Sequence, residues 1–416
     1  MKTFKVIFII ISILISFDFL SFPVLSNPIS SVISDPILLY SGSSCDLPRL
    51  VGDQITGTTL VIFSTCTESG SPSPYVYLST LTPTINGEIT KGAVRKFASG
   101  YEALAAYNST DNNYLLVYSG LVEPDRIQVF DPIRSRKLNY RGNALGGMIS
   151  YPDKKVNNEC PFCIYNPDKN QYMLIWWRGY WVLSEGPAGT NTAMLDNYGE
   201  LIGNEKNIRP PIIHQGLYWI TRPWSGQYNT KSKRYLIMVS ERGLLGSVWS
   251  GLVYLYSLDD RGNLIGRKRL NSAVLDSNFA SLVPSSISEQ NDPDNSNHFL
   301  AWSETNYLVV QKISKYGQYA AGKKKYLSSS KNCYPSISFS PLLNEYWVSY
   351  RDKTGLVVRR LDKYGSTVGS LIRISSNINV YPSSIKWNPY IKKFILVWIE
   401  QYSGKPDKVW LTTVSL

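Results

Sequence analysis

One short segment type recurs through most of the chain, and this repeat constrains the fold more than any other feature. Each copy contains an apolar strand, a polar turn rich in Asn, Pro, Asp or Lys, and a second apolar strand that begins with an aromatic residue. The leading aromatic residues, spaced 47 to 64 residues apart, are Tyr114, Tyr172, Tyr235, Phe299, Tyr346 and Phe394. A weaker copy, LVGDQITGTTLVIFS, precedes them. Such a chain stacks similar units instead of enclosing one large core.

A second hairpin follows most copies of this segment. It has a strand that ends in Leu-Asp or a similar pair, a glycine turn and another strand, most clearly at residues 195–203, 258–266 and 361–369. Glycine supplies the positive φ of a tight turn, and Asp can bond its own backbone there. A calcium loop would need several alternating Asp or Asn ligands that close on a Glu, and that pattern is missing. We therefore predict hairpins at these sites and no metal.

Two hairpins in series give four strands per unit, which is the make-up of a β-propeller blade. Units begin at residue 47 and near residues 102, 161, 219, 284, 335 and 382, so the sequence predicts an all-β propeller with seven four-stranded blades. The last unit has room for three strands, and PILLYS (residues 36–41) would supply the fourth and close the ring. Six blades is the alternative, because the first copy is degenerate. An aromatic content of 13% suits an all-β fold.

In this repeat the mature chain resembles secreted β-propeller proteins in general. The sialidase Asp-box, the Trp-Asp dipeptide of WD repeats and the calcium loops of integrin-type blades are missing from the sequence. The resemblance therefore implies the fold and carries no particular activity over to this chain.

The N-terminus has the layout of a secretory signal peptide. Lys2 and Lys5 precede an apolar run at residues 6–20, while Asp18 and Pro23 disfavour a stable spanning helix. We predict a signal peptide at residues 1–26, an N-terminal segment with the closing strand at 27–46, and propeller repeats at 47–416. The mature protein would be secreted, either extracellular or at the cell surface, with no stable membrane span.

Cysteine chemistry is predicted to be structural. The chain has five cysteines, and in an oxidising compartment the candidates for disulfide bonds are Cys45, Cys66, Cys160 and Cys163. The pairing stays open, although Cys45 and Cys66 flank one short segment. Cys160 and Cys163 form a CxxC that leads into a strand instead of a helix, which favours a structural bond over a redox site. With two histidines in the chain, zinc ligation is not expected.

Long aromatic loops in the third and fourth units, at residues 176–194, 210–228 and 241–252, are predicted to converge on one face. The candidate ligand-binding residues are Trp181, Glu185, His214, Trp219, Arg222 and Trp224. Aromatic rings stack on sugar C–H surfaces, and Arg or Glu can bond sugar hydroxyls. The leading hypothesis is a non-catalytic extracellular propeller that binds glycan or protein through this face. Packing of the rings between blades is the competing interpretation.

An enzyme is the main alternative function. A secreted carbohydrate-active hydrolase or lyase would use loop carboxylates, for which Glu123, Glu185 and Glu241 are available. Two carboxylates within about 10 Å in a pocket lined by tryptophan would favour this alternative. The sequence carries no Gly-rich phosphate loop or nucleophile elbow, so no cofactor and no catalytic residues are assigned. A structural extracellular component is the third hypothesis.

Basic residues and one sequon complete the predicted surface. Lysines and arginines cluster near the second hairpins, at residues 91–96, 134–137, 267–269 and 323–325, and the net charge is +12. We place them on outermost strands, where lysine discourages edge pairing. An anionic glycan or surface is the alternative partner, and nucleic acid is not expected. Asn108-Ser109-Thr110 is a sequon in a turn, so Asn108 is predicted to be glycosylated in a eukaryotic host.

Overall fold

The computed structural model describes residues 31–42, 48–53, 55–65, 74–120, 132–151, 157–179, 189–209, 219–245, 248–270, 274–276, 285–287, 297–304, 307–317, 324–329, 333–403 and 405–416. Within these ranges, side chains are not described at positions 157, 179, 209, 219–222, 242–245, 248–251, 274–276, 285–287 and 382–383. The regular elements of this described part are thirty β-strands. None of its helices is long and apolar enough to cross a membrane.

The strands follow the predicted repeat. Before the repeats come β1 (Val32–Ile33) and β2 (Ile37–Gly42). The first unit holds β3 (Arg49–Gly52), β4 (Thr59–Ser64), β5 (Tyr75–Pro83) and β6 (Ile89–Lys91). The second holds β7 (Arg95–Asn108), β8 (Asn113–Gly120), β9 (Ile133–Asn139) and β10 (Ala144–Ser150). The third holds β11 (Asn157–Asn166), β12 (Gln171–Gly179), β13 (Gly189–Leu195) and β14 (Leu201–Arg209).

The remaining units continue in the same order. The fourth holds β15 (Trp219–Asn229), β16 (Arg234–Leu245), β17 (Val248–Leu258), β18 (Leu264–Arg269) and β19 (Val274–Asp276). The fifth holds β20 (Ser285–Ile287), β21 (His298–Glu304), β22 (Tyr307–Ile313) and β23 (Lys325–Ser328). The sixth holds β24 (Ser336–Ser340), β25 (Glu345–Asp352), β26 (Gly355–Leu361) and β27 (Thr367–Ser375). The last holds β28 (Val380–Asn388), β29 (Lys393–Tyr402) and β30 (Lys405–Ser415).

Antiparallel hydrogen bonds join the described strands into six sheets, five of which contain only consecutive strands. The first two units share one sheet of eight strands, because β7 is long enough to pair with β5 at its start and with β8 along the rest. In the last sheet, β1 and β2 both pair with β30. Neighbouring units contact one another through their first strands in the order β3, β7, β11, β15, β20, β24 and β28, and β28 contacts β3. This arrangement is a β-propeller, so the predicted all-β propeller fold is confirmed.

The core lies between neighbouring units. The leading aromatic residues of the repeat are all at most 1% exposed: Tyr114, Tyr172, Tyr235, Phe299, Tyr346 and Phe394. Each packs in an apolar cluster with residues of an adjacent unit, as Tyr114 does with Leu60 and Ile62. The second strand of a unit is covered on both faces, which explains why these strands are continuously apolar instead of alternating.

A buried polar residue ends most first strands and forms the turn that follows. Asn108, Asn166, Asn229 and Asn388 each accept at least one backbone N–H of that turn through Oδ1. The amide nitrogens of Asn108, Asn229 and Asn388 reach the next unit in the ring, as in the 2.6 Å bond from Asn388 Nδ2 to the Gly57 carbonyl. The asparagine therefore fixes both its own turn and the contact between units.

This role contradicts the prediction that Asn108 is glycosylated. Its side chain is fully buried, and Nδ2, the nitrogen that a glycan would modify, donates to Asn170 Oδ1 at 2.8 Å. The sequon lies in a turn, as expected, but the first residue of that turn points into the protein.

The second hairpins form as predicted. In the turn that begins at Asp362, Oδ1 accepts the N–H groups of Tyr364 and Ser366, and the Gly365 N–H donates to the Asp362 carbonyl. Asp196 and Asp259 make the same bonds in their own turns. The Asp-x-x-Gly pattern thus serves the turn itself.

The basic clusters lie on more than one kind of strand. Arg267, Lys268 and Arg269 are in β18, and Lys325 is in β23, both of which are outer strands. The cluster at residues 134–137 is in β9, which pairs with β8 on one side and β10 on the other. Its placement on an outermost strand is wrong, because a further strand follows it in the sheet. Lys323 is outside the described residues.

Cys160 and Cys163, two of the candidates for disulfide bonds, form none. The Cys160 thiol donates to Glu102 Oε1 at 3.3 Å, whereas the Cys163 thiol donates to the Leu115 carbonyl. Neither cysteine is in a disulfide, because Cys163 packs in an apolar cluster and Cys160 faces a carboxylate. Burial raises the pKa of the Cys163 thiol well above its ordinary value. Cys45, Cys66 and the predicted signal peptide are outside the described residues.

Candidate functional site

The first strands of several units line a central cavity, called here the channel. Four of these strands bulge at the same level. The shift in register comes just before the pairs Leu104–Val117, Phe162–Ile175, Ser225–Met238 and Ser384–Val397. The bulged positions hold Glu102, Cys160, Pro161, Trp224 and Pro382. Proline offers no N–H to a sheet, so it is compatible with a bulge. Bulges re-aim side chains and are common beside active sites, which makes this level the candidate site.

Glu102 is held at its bulge by its neighbours. Its backbone has a positive φ of 50°, and Cys160 has 53°, a region that few non-glycine residues adopt. The Glu102 carboxylate accepts the Cys160 N–H at 2.5 Å and the Cys160 thiol at 3.3 Å. On the other side, the Glu102 N–H donates to Ser64 Oγ. Three successive units therefore fix the position of this carboxylate.

A second carboxylate lies beside the first. A Glu102 oxygen, a Glu159 oxygen and Cys160 Sγ all lie within 4.8 Å of one another, and both glutamates are partly exposed. The pair can serve as acid and base, or as acid and nucleophile. The same oxygen and sulfur atoms could hold a metal ion.

A cavity of about 310 Å³ occupies the channel next to this level. Leu104 and Phe162, two residues beyond Glu102 and Cys160, line it together with Trp224. Trp224 Nε1 donates to Ser240 Oγ at 2.7 Å, which fixes the indole ring. Arg49 and Lys386 also line the cavity, so it combines an aromatic ring with positive charge. An acidic sugar is a ligand that such a lining would attract.

The structure describes only some of the site residues predicted from the sequence. Trp181, Glu185 and His214, like Glu123, are outside the described residues. Trp219 and Arg222 lie in β15, and their side chains are not described. Trp224 lies at the bulge of β15 and lines the channel cavity. The second half of the connection at residues 210–228 is therefore a strand instead of a loop.

Glu241, one of the carboxylates considered for catalysis, is not a loop residue. It lies in β16 and is only 1% exposed. Its carboxylate accepts the Tyr256 hydroxyl at 2.9 Å and lies 3.7 Å from the Arg267 guanidinium. It has a structural role inside the fourth unit, because substrate has no access to a buried, bonded carboxylate.

Buried tryptophans elsewhere are tied to carboxylates of their own sheets. Trp347 Nε1 donates to Glu345, which also accepts two bonds from Arg360. Trp398 Nε1 donates to Glu400. Burial acts to raise the pKa of Glu400, but bonds from Ser375, Tyr402 and Trp398 outweigh it and leave the pKa below its ordinary value. Trp347 and Trp398 pack in one apolar cluster between the sixth and last units.

Sequence reasoning missed Glu102 and Glu159. A signal for them exists, because the units begin near Glu102, Pro161, Pro335 and Pro382, and a proline that recurs at the start of a strand indicates a bulge. Glu102 and Glu159 lie at or next to these positions, but the candidate residues were chosen from the longest loops, which do not contain them.

No protein-family model matches the chain, and no curated protein matches it in sequence. Its structure is similar to that of a polysaccharide lyase described as an ulvan lyase, with a TM-score of 0.55 and 8% identity over 91% of this chain and 96% of the other. It is also similar to a chain of the COPII outer coat vertex assembled on membranes, with a TM-score of 0.52 and 10% identity over 90% of this chain and 84% of the other. At such identities the likeness shows a shared fold.

Proposed function

We propose that the ring has seven four-stranded blades and is closed by its own N-terminal strand. The contacts from β3 round to β28 and back to β3 support seven units. Support for closure comes from β2, which pairs with β30 from Ile37–Leu411 to Gly42–Asp407. We also propose the domain boundaries given above, with a signal peptide at residues 1–26 and export of the mature chain.

We propose that the protein is a secreted carbohydrate-active enzyme, a hydrolase or lyase. The observation that carries this proposal is the close pair of carboxylates, Glu102 and Glu159, on neighbouring first strands. The separation of their oxygens meets the distance criterion of about 10 Å for a catalytic pair, and Trp224 lines the cavity that begins two residues beyond Glu102. The structural likeness to a polysaccharide lyase supports the same class.

The chemistry follows from the environment of the two acids. Glu102 accepts two bonds from Cys160, which hold its carboxylate in a fixed position. Glu102 is therefore the base or nucleophile in this proposal, and Glu159 is the acid. Oxygen atoms within 4.8 Å fit the shorter carboxyl separation of about 5 Å in retaining hydrolases. In a lyase, Glu102 would remove the proton next to a uronate carboxylate, and Arg49 and Lys386 would stabilise the negative charge that develops. The C–O bond to the leaving sugar would then break as a C=C bond forms, and Glu159 would protonate the leaving oxygen.

The test is an activity screen on purified protein with neutral, uronate-containing and sulfated polysaccharides. New reducing ends report both reactions, and the absorbance of an unsaturated uronate reports a lyase. The variants are Glu102→Gln and Glu159→Gln. Glutamine keeps an acceptor for the Cys160 N–H, so the bulge should fold. Glu88→Gln, on an exposed turn, is the matched control.

We expect each site variant to lower the turnover rate at least about 100-fold, with an unchanged melting temperature and a control equal to wild type. Cleavage that survives both substitutions contradicts the assignment of the site. If the wild-type protein cleaves none of the polysaccharides, the proposal that it is a carbohydrate-active enzyme is contradicted.

Non-catalytic recognition of glycan or protein is the second candidate, and the fixed indole of Trp224 in the channel cavity favours it. A glycan array with wild type and Trp224→Ala tests it. Binding that depends on Trp224, without cleavage of the bound glycan, would support recognition over catalysis.

A further inference from the structure

A second cavity lies away from the channel, between the third and fourth units. Its volume is about 370 Å³. One wall is formed by β13 and β14, where Thr192 and Ile202 line it, and the other by the turn at Asp260, Arg261 and Gly262. A volume of this size lies in the range of small-molecule sites.

A bulge in β14 forms one side of the cavity. Thr192 pairs with Lys206 and Met194 pairs with Ile202, so three residues of β14 stand opposite Ala193 alone. Gly203 begins this bulge with a φ of 79°, and a Cβ added there would meet no atom within 4 Å. The bulge therefore leaves room beside Gly203 for a ligand to approach the backbone.

A buried hydroxyl in the wall lacks a hydrogen-bond partner. Thr192 lines the cavity and is only 1% exposed, and its Oγ1 makes no hydrogen bond within the described part of the chain. Buried polar groups are nearly always bonded, so an unsatisfied one indicates a partner such as a ligand or an ordered water.

The charge of the cavity is positive. Lys169 is paired with Asp260 at 2.7 Å, and the Asp259 carboxylate interacts with Lys206, so the three cations outnumber the two carboxylates by one and the charge of Arg261 is left over. Lys206 Nζ donates to the Arg261 carbonyl and to Asn263 Oδ1, which holds the turn against β14. The Arg261 side chain is exposed at the rim. The amides of Gln171 and Asn204 add further polar groups to the wall.

We propose that this cavity binds an acidic sugar unit, one that carries a carboxylate or a sulfate. Arg261 and Lys206 would pair with the anionic group, and Thr192 and the amides would bond the ring hydroxyls. The site is separate from the carboxylate pair. It would hold an acidic polysaccharide on the side of the propeller, whether or not the channel cleaves it.

The test measures binding of trigalacturonate, a sulfated galactose trisaccharide and neutral galactotriose by calorimetry. Sulfate alone is the fourth probe, because it reports anion binding that needs no sugar. The variants are Thr192→Val, which removes only the hydroxyl, and Arg261→Ala. Arg141→Ala is the matched control, since Arg141 also precedes the glycine of a second-hairpin turn and is exposed.

We expect one or both acidic trisaccharides to bind more tightly than galactotriose, and more weakly as salt is raised. Arg261→Ala should weaken binding at least about tenfold and Thr192→Val about threefold, while Arg141→Ala should not. Thr192→Val should not lower the melting temperature, because no described hydrogen bond is lost.

Equal binding by wild type and Arg261→Ala, no binding of either acidic sugar, or binding of sulfate alone as tight as of the sugars would overturn the proposal. The Glu102→Gln variant separates the two sites, because it should lose cleavage and keep this binding.

Discussion

At the scale of single residues, the Glu400 carboxylate is held by three donors, and its ionisation contributes to stability. Glu400 is mostly buried and accepts bonds from Ser375 Oγ, Trp398 Nε1 and the Tyr402 hydroxyl. Its pKa is lowered in the folded protein relative to an ordinary value of 4.5. The charged form is therefore stabilised by folding.

Because of this lowered pKa, the free energy of unfolding depends on pH in the acidic range. The contribution of Glu400 is complete above its ordinary pKa and is lost as the pH falls through its lower folded value. We expect Glu400→Gln to lower the free energy of unfolding by about 1 to 3 kcal/mol at pH 7, and the difference from wild type to shrink below about pH 4.5. Urea unfolding at several pH values measures this. A difference that does not depend on pH would contradict it.

At the scale of elements, the second hairpins of the second to sixth units rest on the unit before them. The turn glycine at Gly365 has a φ of 77°, and a Cβ there would lie 2.7 Å from Phe299 Cε1 of the preceding unit. The positive φ of the turn and the close contact with the preceding unit therefore both require glycine at this position. This explains why a glycine recurs at this position of the repeat.

We expect Gly365→Ala to lower the free energy of unfolding by about 2 to 4 kcal/mol, since backbone strain and a clash add. Gly87→Ala is the control, because Gly87 has a similar φ of 73° with no atom within 4 Å of the added Cβ. It should cost only the strain, about 1 kcal/mol. Thermal or urea unfolding measures both, and equal losses would contradict the packing argument.

Sequence patterns predict the hairpins but not the details of pairing. The leading aromatic residues and the Asp-x-x-Gly turns are local signals, and both correspond to the expected elements. Bulges depend on register between strands, which the sequence does not specify, so Glu102 and Glu159 were missed. The predicted glycosylation of Asn108 is wrong for a related reason, because the burial of its amide arises from contact with the next unit. Trp224 was chosen as a candidate because the sequence around it is rich in aromatic residues, but it lies in a strand and not in the predicted loop.

At the scale of the whole molecule, β2 contacts both the last strand and the first unit. Leu39 of β2 packs in one cluster with Leu411 of β30 and with Leu50 and Val61 of the first unit. We expect Leu39→Ala to lower the free energy of unfolding by about 2 to 4 kcal/mol. Ile37→Ala, at a position that is 38% exposed, should cost less than about 1 kcal/mol. Equal effects in urea unfolding would contradict closure by this strand.

The proposed function depends on how the ring brings neighbouring units together. Glu102 and Glu159 belong to different units, and only the contact between β7 and β11 places their oxygens within 4.8 Å. A positive channel lining with Arg49 and Lys386, and a separate cavity with Arg261 and Lys206, favour acidic polysaccharides as substrates.

The most direct test is the initial rate of chain cleavage on an acidic polysaccharide by wild type, Glu102→Gln and Glu159→Gln. The predicted result is cleavage by wild type and a rate at least about 100-fold lower in each variant, with all three proteins folded. Cleavage by both variants at the wild-type rate would contradict the proposal that this pair of carboxylates is catalytic.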